Sequence, residues 1–479
     1  MKKSRWVPWA AASSALLLTA ALSACSSGGK EPADDSSSGA PSASASTDGA
    51  GGKTTLTVSV FTEDRFLKSA VEQFEQAHPE IDVQIQEAVP TDLSDGQKAQ
   101  TKIGPDDGPS AEDKDKYINS VNTALMSGNA ADLISVSYLP IDRYLDKGMF
   151  ADWTELAGND ADFQAADYYE KVLKGMSDGK GWYAIPIHFT FNAVIGNKAV
   201  LDQVGGVDDK TWTWEQFVAL CRQIAATTNA DGTKPQALGG YTPEDVLGYL
   251  VKTTYAELVT RQGSEAKFDE AAFRGYLEQV KQLYDSGAAG SNNLGRQQQV
   301  FSPLSLKSPM ELATLPNAIG NGEGEVLQPP GTGQDEGFPF TSDLAFALND
   351  RSKVKTAAWE FVKFLLSEPI QADPGMTGFP VHQAATKKKL EEFAEKLQSG
   401  DAKMMIQNKG GGPAQAVTIS DEQIEAVLAL LPSVGKYERT DDKVIEMIKE
   451  EAAPFFSGGK TADAVAKAVR SRVNTYLNE

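Results

Sequence analysis

The sequence predicts an α/β protein with two lobes, and three observations support this fold class. The segment that starts at Thr54 reads strand, helix, strand, a unit that favours a parallel sheet. The chain from residue 54 to residue 479 exceeds the usual size of a single hydrophobic core. A bent apolar stretch, Trp182 to Asn192, has the composition of a strand that leaves one sheet for another.

The first 24 residues are predicted to be a secretory signal. Lys2, Lys3 and Arg5 form a basic start, and an apolar run rich in alanine and leucine follows from Ala10 to Leu22. Small residues then precede Cys25, in a pattern that resembles a bacterial lipoprotein box. This implies cleavage before Cys25 and acylation of its thiol. A generic cleaved signal followed by an incidental cysteine is the alternative.

Residues 25–53 consist mainly of Ser, Gly, Ala, Asp, Pro and Thr, a composition that cannot bury enough apolar surface to fold. We therefore expect a lipidated, disordered tether there. No later apolar run approaches the length of a membrane helix. The formal charge of −21 becomes −24 when the three signal cations are removed. A surface this acidic argues against a nucleic-acid partner.

Cys221 is the only cysteine after Cys25, so no disulfide within the exported chain is expected. It lies on the apolar face of a predicted helix whose start, Thr213-Trp214-Glu215-Gln216, fits a capping box. Cys221 is therefore expected to be buried and unreactive, and Trp214 to be a packing residue.

Candidate ligand residues follow the strands of the first lobe. Residues 56–61 and 81–85 alternate with period two, and residues 132–136 form a short buried strand after a polar insertion at about residues 91–116. Ligands gather at the carboxyl ends of strands in a doubly wound sheet. This points to Thr62, Glu63 and Asp64 after the first strand, and to Ser137 and Tyr138 after the third. An ordinary loop residue is the alternative for each.

The bent stretch contains further candidates. Pro186 cannot donate to a strand ladder and fixes its own φ, so the strand is expected to bend there. His188 and several aromatic residues flank the bend, and an aromatic-lined connection between lobes is a place where a small ligand can bind. A proline in an edge strand of a single domain explains the same residues equally well.

No motif in the sequence demands an enzyme. The three histidines are far apart, and H-E-x-x-H, G-x-S-x-G and a complete phosphate-binding loop do not occur. We therefore expect no catalytic residue, no metal and no cofactor. A pair of catalytic carboxylates remains an alternative, because the 66 acidic residues offer many pairs and the sequence does not give the distances between them.

Several short motifs occur in a fixed order between residues 54 and 479. They are Asn119–Asp132, Trp182–Pro186, Thr213–Glu215 after Asn197-Lys198, Ala357–Leu365 and Gly378–Pro380. In this order, behind a lipoprotein signal, they resemble the carbohydrate-type extracellular solute-binding lipoproteins of ABC importers, the maltose-binding-protein-like family 1 solute-binding proteins. Ala131 stands where the family usually has proline, and the insertion at residues 91–116 is longer than typical.

The resemblance implies a two-lobe periplasmic-binding-protein-like fold of type II, with discontinuous lobes joined by hinge crossovers. The N-terminal lobe would comprise residues 54–187 and 341–398, and the C-terminal lobe residues 188–340 and 399–479. Pro186 would mark the first hinge crossover, and the region before Phe340 the second. The family implies ligand contacts at Glu63, Asp64, Ser137, Tyr138, His188, Phe189 and Phe338.

The resemblance also implies a function. A monomer, anchored by lipid on the extracellular face of the cell membrane, would capture an oligosaccharide or similar polar solute between its lobes, close by hinge motion and deliver the solute to a membrane permease. Two alternatives are a cell-surface enzyme that acts on polysaccharide and a ligand-sensing lipoprotein that presents its closed form to a membrane receptor. A cationic solute is a further alternative, because the loops are rich in acidic residues.

Overall fold

The computed structural model describes residues 52–90, 110–177, 181–228, 232, 234–262, 265–292, 299–316, 324–403, 405–406 and 415–478. The predicted signal, Cys25, the tether up to residue 51 and residues 91–109 of the insertion lie outside these ranges. The described residues form two lobes, named lobe 1 and lobe 2, each built around one main sheet. None of the helices in these ranges combines the length and apolarity that a membrane span requires.

Lobe 1 contains sheet 1. Its strands are β1 (Thr54–Val60), β2 (Ile81–Glu87), β3 (Leu133–Ser135), β4 (Phe150–Ala151), β5 (Ala184–Pro186) and β14 (Ala345–Asn349). Their order is β2-β1-β3-β14-β4, and β5 also pairs with β14. β1 runs parallel to β2 and β3, whereas β14 is antiparallel to β3 and β5. The carboxyl ends of β1, β3 and β5 therefore lie at the same edge of the sheet as the start of β14.

Two of the helices of lobe 1 begin at residues whose side chains cap them. The helices are α1 (Arg65–Ala77), α2 (Ala111–Ser127), α3 (Ile141–Leu145), α4 (Thr154–Gly158), α5 (Glu170–Leu173), α12 (Lys355–Leu366), α13 (Glu368–Gln371) and α14 (Gln383–Ser399). Oγ of Ser110 accepts a hydrogen bond from N of Asp113 at 3.1 Å, which starts α2 at Ala111. Residues 111–116 are thus the first turns of α2, which corrects their prediction as part of a surface insertion.

Lobe 2 contains sheet 2, whose central strand is β6. Its strands are β6 (His188–Asn197), β11 (Phe301–Leu306), β12 (Gly324–Leu327), β13 (Phe338–Thr341), β15 (Phe379–Pro380) and β18 (Val434–Tyr437). β6 pairs antiparallel with β11, β12, β13 and β15, and β13 runs parallel to β18. Small two-stranded pairs are β7 (Leu238–Gly239) with β10 (Ala289–Gly290), β8 (Val259–Gln262) with β9 (Glu265–Phe268), and β16 (Met405–Ile406) with β17 (Gln415–Ala416).

The helices of lobe 2 confirm the predicted capping box. They are α6 (Lys198–Gln203), α7 (Trp214–Ala225), α8 (Pro243–Thr253), α9 (Tyr255–Leu258), α10 (Glu270–Asp285), α11 (Pro309–Thr314), α15 (Asp421–Leu430), α16 (Asp442–Phe456) and α17 (Ala462–Asn478). Thr213 and Gln216 cap α7 reciprocally. Trp214 is buried and its Nε1 donates to Oγ1 of Thr253 at 2.7 Å. Cys221 is fully buried, as predicted, and burial raises the pKa of its thiol.

Two crossovers connect the sheets. β5 of sheet 1 leads through Ile187 into β6 of sheet 2, and β13 of sheet 2 leads through residues 342–344 into β14 of sheet 1. N of Ile187 donates to O of Leu344 at 2.9 Å, so the crossovers lie side by side. The predicted boundary at 187/188 falls between β5 and β6, whereas those at 340/341 and 398/399 fall inside β13 and α14.

The hydrophobic core is continuous through the crossovers. Phe189, Phe191 and Phe340 of sheet 2 belong to the same cluster of buried side chains as the strands of sheet 1. Val194, further along β6, belongs instead to a second cluster with helices α7, α8, α10, α16 and α17 of lobe 2. The first part of β6 therefore packs with side chains of lobe 1, and its later part packs with the helices of lobe 2.

Candidate functional site

The edge of sheet 1 next to the crossovers carries polar side chains, and we name Glu63, Ser137, Tyr138 and Asp343 the cleft edge. Glu63 follows β1, Ser137 and Tyr138 follow β3, and Asp343 precedes β14. Oγ of Ser137 accepts a hydrogen bond from N of Ala345 at 3.2 Å, which ties the loop after β3 to the start of β14. The structure thus brings together three of the predicted ligand residues and adds Asp343.

The two acidic residues after β1 have different environments. Oδ1 of Asp64 accepts a hydrogen bond from N of Leu67 at 2.7 Å, so Asp64 caps α1. Glu63 is half-buried, and its N donates to Oε2 of Glu87 at 3.2 Å. Burial first, and then repulsion by the Glu87 carboxylate, raise the pKa of Glu63. Glu63 is therefore a better candidate than Asp64 to accept a hydrogen bond from a solute.

Tyr138 is the aromatic residue of the cleft edge. Its ring packs edge-to-face against Phe61, with 4.9 Å between the ring centroids, and Nζ of Lys114 lies 5.4 Å from its centroid. Burial first, and then the carboxylates of Asp343 and Asp442, raise the pKa of its hydroxyl. The hydroxyl is therefore protonated at neutral pH and can donate to a solute and accept from it.

His188 lies directly behind the cleft edge. Its side chain is 3% exposed, and its Nδ1 lies 3.2 Å from Oδ1 of Asp343, whose side chain is 57% exposed. His188 has almost no surface of its own, so it can influence a solute mainly through Asp343. Asp343 was not among the predicted residues. It lies within the second crossover, residues 342–344, which follows Phe340 and does not precede it as expected.

Phe189 and Phe338 were expected to line the cleft, and the structure corrects this expectation. Phe189 is fully buried and stacks on Phe379, with 5.3 Å between the ring centroids. Phe338 is 4% exposed and packs edge-to-face against Phe191. Both rings are enclosed by the core of the crossover region, so neither presents a face to a solute in this structure.

Two ion pairs of opposite orientation connect the start of α2 in lobe 1 with the start of α16 in lobe 2. Nζ of Lys114 lies 2.7 Å from Oδ2 of Asp442, and Nζ of Lys443 lies 3.5 Å from Oδ2 of Asp115. We name these contacts the reciprocal ion pairs. No local sequence signal predicts them, because the partners are more than 300 positions apart.

Arg439 also connects the lobes. It forms an ion pair with Asp142, and its Nη2 donates to the carbonyl oxygens of Met176 and Ser177. Its guanidinium carbon lies 5.8 Å from the centroid of the Tyr437 ring. The two lobes are therefore in contact through charged side chains at the start of α2, at the start of α16 and at Arg439.

A cavity of about 170 Å³ lies in lobe 2, and we name it the lobe 2 cavity. Its lining includes Trp212, Tyr255, Tyr437, Glu438 and Arg439. Arg439 thus joins the wall of this cavity to the contact with lobe 1. Within the described ranges, no group of three or more His, Cys, Asp or Glu side chains is arranged to bind a metal ion.

Comparisons with known proteins identify relatives of this fold. A family model described as bacterial extracellular solute-binding protein matches residues 59–372. Among solved structures, a family 1 extracellular solute-binding protein from Alicyclobacillus acidocaldarius has a TM-score of 0.56 at 17% identity, over 90% of this chain and 100% of that chain. The sugar-binding protein MalE from Xanthomonas citri has a TM-score of 0.55 at 15% identity, over 88% and 97%.

A third similar structure is the galacto-N-biose-/lacto-N-biose I-binding protein of the ABC transporter from Bifidobacterium longum. Its TM-score is 0.51 at 17% identity, over 90% of this chain and 98% of that chain. At such identities the likeness concerns the fold, and it confirms the predicted two-lobe periplasmic-binding-protein-like fold. No curated protein sequence matches the chain.

Proposed function

Because the chain belongs to the family of bacterial extracellular solute-binding proteins, we propose that it captures an oligosaccharide or similar polar solute between its lobes and delivers it to an ABC permease. The observation that carries this proposal is the cleft edge, which lies beside the crossovers and opposite lobe 2. It combines an aromatic ring, a hydroxyl and carboxylates. Aromatic rings stack on the C–H faces of sugars, and carboxylates accept hydrogen bonds from sugar hydroxyls.

The relatives support a carbohydrate as the solute. The similar structures include the sugar-binding MalE, the lacto-N-biose-binding protein and a periplasmic oligogalacturonide binding protein from Yersinia enterocolitica with a TM-score of 0.54 at 14% identity. Within our proposal the ligand contacts of this chain are Glu63, Ser137, Tyr138 and Asp343, with His188 acting behind Asp343.

The proposal includes hinge closure at Pro186 and at the second crossover. Both crossovers lie side by side, and short adjacent connections can absorb a rotation of one lobe against the other. The reciprocal ion pairs would then form when the lobes approach. We further propose that the protein acts as a monomer anchored by a lipid on Cys25 at the extracellular face of the membrane, and that it has no enzymatic activity.

Thermal unfolding with a panel of ligands tests the proposed solute. A ligand at 100 times its dissociation constant stabilises the folded state by about 2.7 kcal/mol, which gives a measurable rise in the unfolding temperature. We expect this rise with neutral oligosaccharides and none with polyamines. A rise with polyamines alone would overturn the assignment to carbohydrates, and cleavage of a labelled oligosaccharide would indicate an enzyme.

A matched pair of variants tests the site. Asp343→Asn removes a carboxylate charge from the cleft edge, whereas Asp350→Asn removes one beyond the opposite end of β14. The two side chains are equally exposed, at 57% and 56%. We expect Asp343→Asn to weaken saccharide binding by about tenfold, the range for loss of a hydrogen bond to a charged group, and Asp350→Asn to leave it unchanged. Equal affinities of the two variants would move the site away from the cleft edge.

A further inference from the structure

Glu438, one of the residues that line the lobe 2 cavity, has a carboxylate oxygen without a hydrogen-bond partner in the described structure. Glu438 follows β18, and its N donates to O of Phe340 at 2.9 Å, which fixes the residue beside β13. Oε2 of Glu438 accepts a hydrogen bond from Nδ2 of Asn192 at 2.8 Å. Oε1 is buried and has no hydrogen-bond partner among the described residues. A buried acceptor without a donor costs free energy, so this oxygen calls for an explanation.

The other carboxylates that line the cavity are engaged within the protein. Oδ2 of Asp209 accepts a hydrogen bond from N of Gln328 at 2.7 Å. Oε2 of Glu257 accepts one from the hydroxyl of Tyr276 at 2.9 Å. Glu336 forms an ion pair with Lys436. Glu438 is therefore the lining carboxylate with a buried oxygen still free to accept.

The charge of the cavity indicates what kind of donor fits. Four acidic side chains line it, Asp209, Glu257, Glu336 and Glu438, and so do four basic ones, Lys210, Lys252, Lys436 and Arg439. Burial has the largest effect on the pKa of Glu438 and raises it. The positive charges of Lys252 and Lys436 lower this pKa, so both lysines already interact with the carboxylate. A balanced set of charges gives no general attraction for a cation. A neutral donor, such as a hydroxyl group, is therefore the better match.

The size of the cavity limits the ligand. Its volume of about 170 Å³ is below the roughly 300–1,000 Å³ of pockets that enclose a whole drug-sized ligand. Its walls include Trp212, Tyr255 and Tyr437, which offer aromatic surface next to polar groups. The cavity is therefore suited to one ring of a solute whose remainder lies in the cleft between the lobes.

We propose that the lobe 2 cavity binds a single neutral sugar ring of the solute, and that Oε1 of Glu438 accepts a hydrogen bond from a hydroxyl group of that ring. This inference rests on the proposed function, because it assumes a saccharide. It adds a specificity residue, Glu438, and a separate place for one end of the solute. Asn192 acts as a positioning residue, since its amide fixes the orientation of the carboxylate.

Calorimetry with the variants Glu438→Gln and Glu336→Gln tests the inference. Both changes remove one negative charge from the same cavity, but Glu336 is already paired with Lys436. The probes are maltotriose, cellotriose, xylotriose and galactobiose at millimolar concentration. For the probes that bind the wild-type protein, we expect Glu438→Gln to weaken binding by about 10- to 100-fold and Glu336→Gln to change it by less than about threefold.

Thermal unfolding without saccharide separates recognition from folding. Glu438→Gln should unfold at the wild-type temperature or above it. In the described structure Oε1 has no hydrogen bond to lose, and burial disfavours the charged form of the carboxyl group. Tyr249→Phe is the comparison variant for this measurement. The Tyr249 hydroxyl is also buried without a hydrogen-bond partner in the described structure, and it lies near Glu438. Lower unfolding temperatures for both Glu438→Gln and Tyr249→Phe, with unchanged saccharide affinity, would show that Glu438 serves the fold and would overturn the inference.

The outcomes distinguish this inference from the function on which it rests. If a saccharide binds the wild-type protein and Glu438→Gln with equal affinity, the role of Glu438 is wrong and the proposed function stands. If none of the probes binds the wild-type protein while a polyamine does, both are wrong.

Discussion

The reciprocal ion pairs give a quantitative prediction about closure. Changing Lys114→Glu removes the 2.7 Å pair with Asp442 and places two carboxylates opposite each other. Lys114 is 23% exposed and Asp442 54%, so solvent screens the pair, and its loss corresponds to about 0.2–1 kcal/mol. Repulsion between the two carboxylates of the variant is of similar size, so the total free-energy change is about twice as large. Because the contact requires that the lobes be close, its loss lowers the population that binds tightly.

The expected result is a roughly 2- to 30-fold weaker affinity for the saccharide, since about 1.4 kcal/mol corresponds to a factor of ten. Calorimetry at low and high salt measures it, and salt should reduce the difference between wild type and variant because it screens exposed charges. Adding Asp442→Lys to Lys114→Glu restores an ion pair of reversed sign and should restore most of the affinity. Lys174→Glu is the control, because Lys174 pairs with Glu170 within lobe 1.

Two results would refute this reasoning. The first is an unchanged affinity of Lys114→Glu at low salt. The second is a double variant no better than the single one, which would mean that Lys114 acts on the solute directly, through its place over the Tyr138 ring, and not through Asp442.

Three further predictions follow from burial. Phe189→Ala should lower the free energy of unfolding by about 3–5 kcal/mol in urea denaturation, because Phe189 is fully buried against Phe379. A loss below about 1 kcal/mol would contradict this burial and support the sequence-based prediction that Phe189 lines the cleft. Cys221 should resist thiol reagents in the native protein and react only after unfolding, since burial raises its pKa; rapid native labelling would contradict its burial. The raised pKa of Glu438 means that its protonated form is favoured in the folded state, so its contribution to stability is present below pH 4.5 and is lost as the pH rises. The unfolding temperature of Glu438→Gln relative to wild type should therefore increase above pH 4.5, and a constant difference would contradict the shift.

Local patterns were sufficient to predict much of the fold. The period-two alternation before Phe61 predicted β1, the capping box at Thr213 predicted the start of α7, and Pro186 marked the end of β5. Each of these features depends on residues that are close in sequence. The start of α2 could have been found in the same way, because Ser110 and Asp113 have the spacing of a helix cap.

The orientation of β6 could not be predicted in this way. Alternation shows that His188 and Phe189 point to opposite faces, but it does not show which face is covered. That depends on β13 and β15, which pair with β6 from distant positions and enclose Phe189. The prediction that Phe189 lines the cleft was wrong for this reason.

The lobe 2 cavity and the contacts between the lobes could not be predicted from the sequence either, because they also depend on distant segments. Glu438 and Arg439 lie in a polar segment with no motif, and the rest of the cavity wall comes mainly from residues within the segments 209–212, 252–257 and 328–339. Only the tertiary fold brings these segments together. The cleft edge was partly predictable, because the carboxyl ends of parallel strands share an edge, and Glu63, Ser137 and Tyr138 follow such ends.

A distance measurement between the lobes tests the central claim, that a saccharide closes them around itself, most directly. Spin labels at Glu112→Cys on α2 and Glu446→Cys on α16 would report on the two helices that carry the reciprocal ion pairs, because both positions are exposed. In a Cys25→Ser chain, buried Cys221 stays unlabelled. Saturating saccharide should give one short distance, and its removal should give a longer or broader distribution. Identical distributions with and without bound saccharide would contradict the proposed closure.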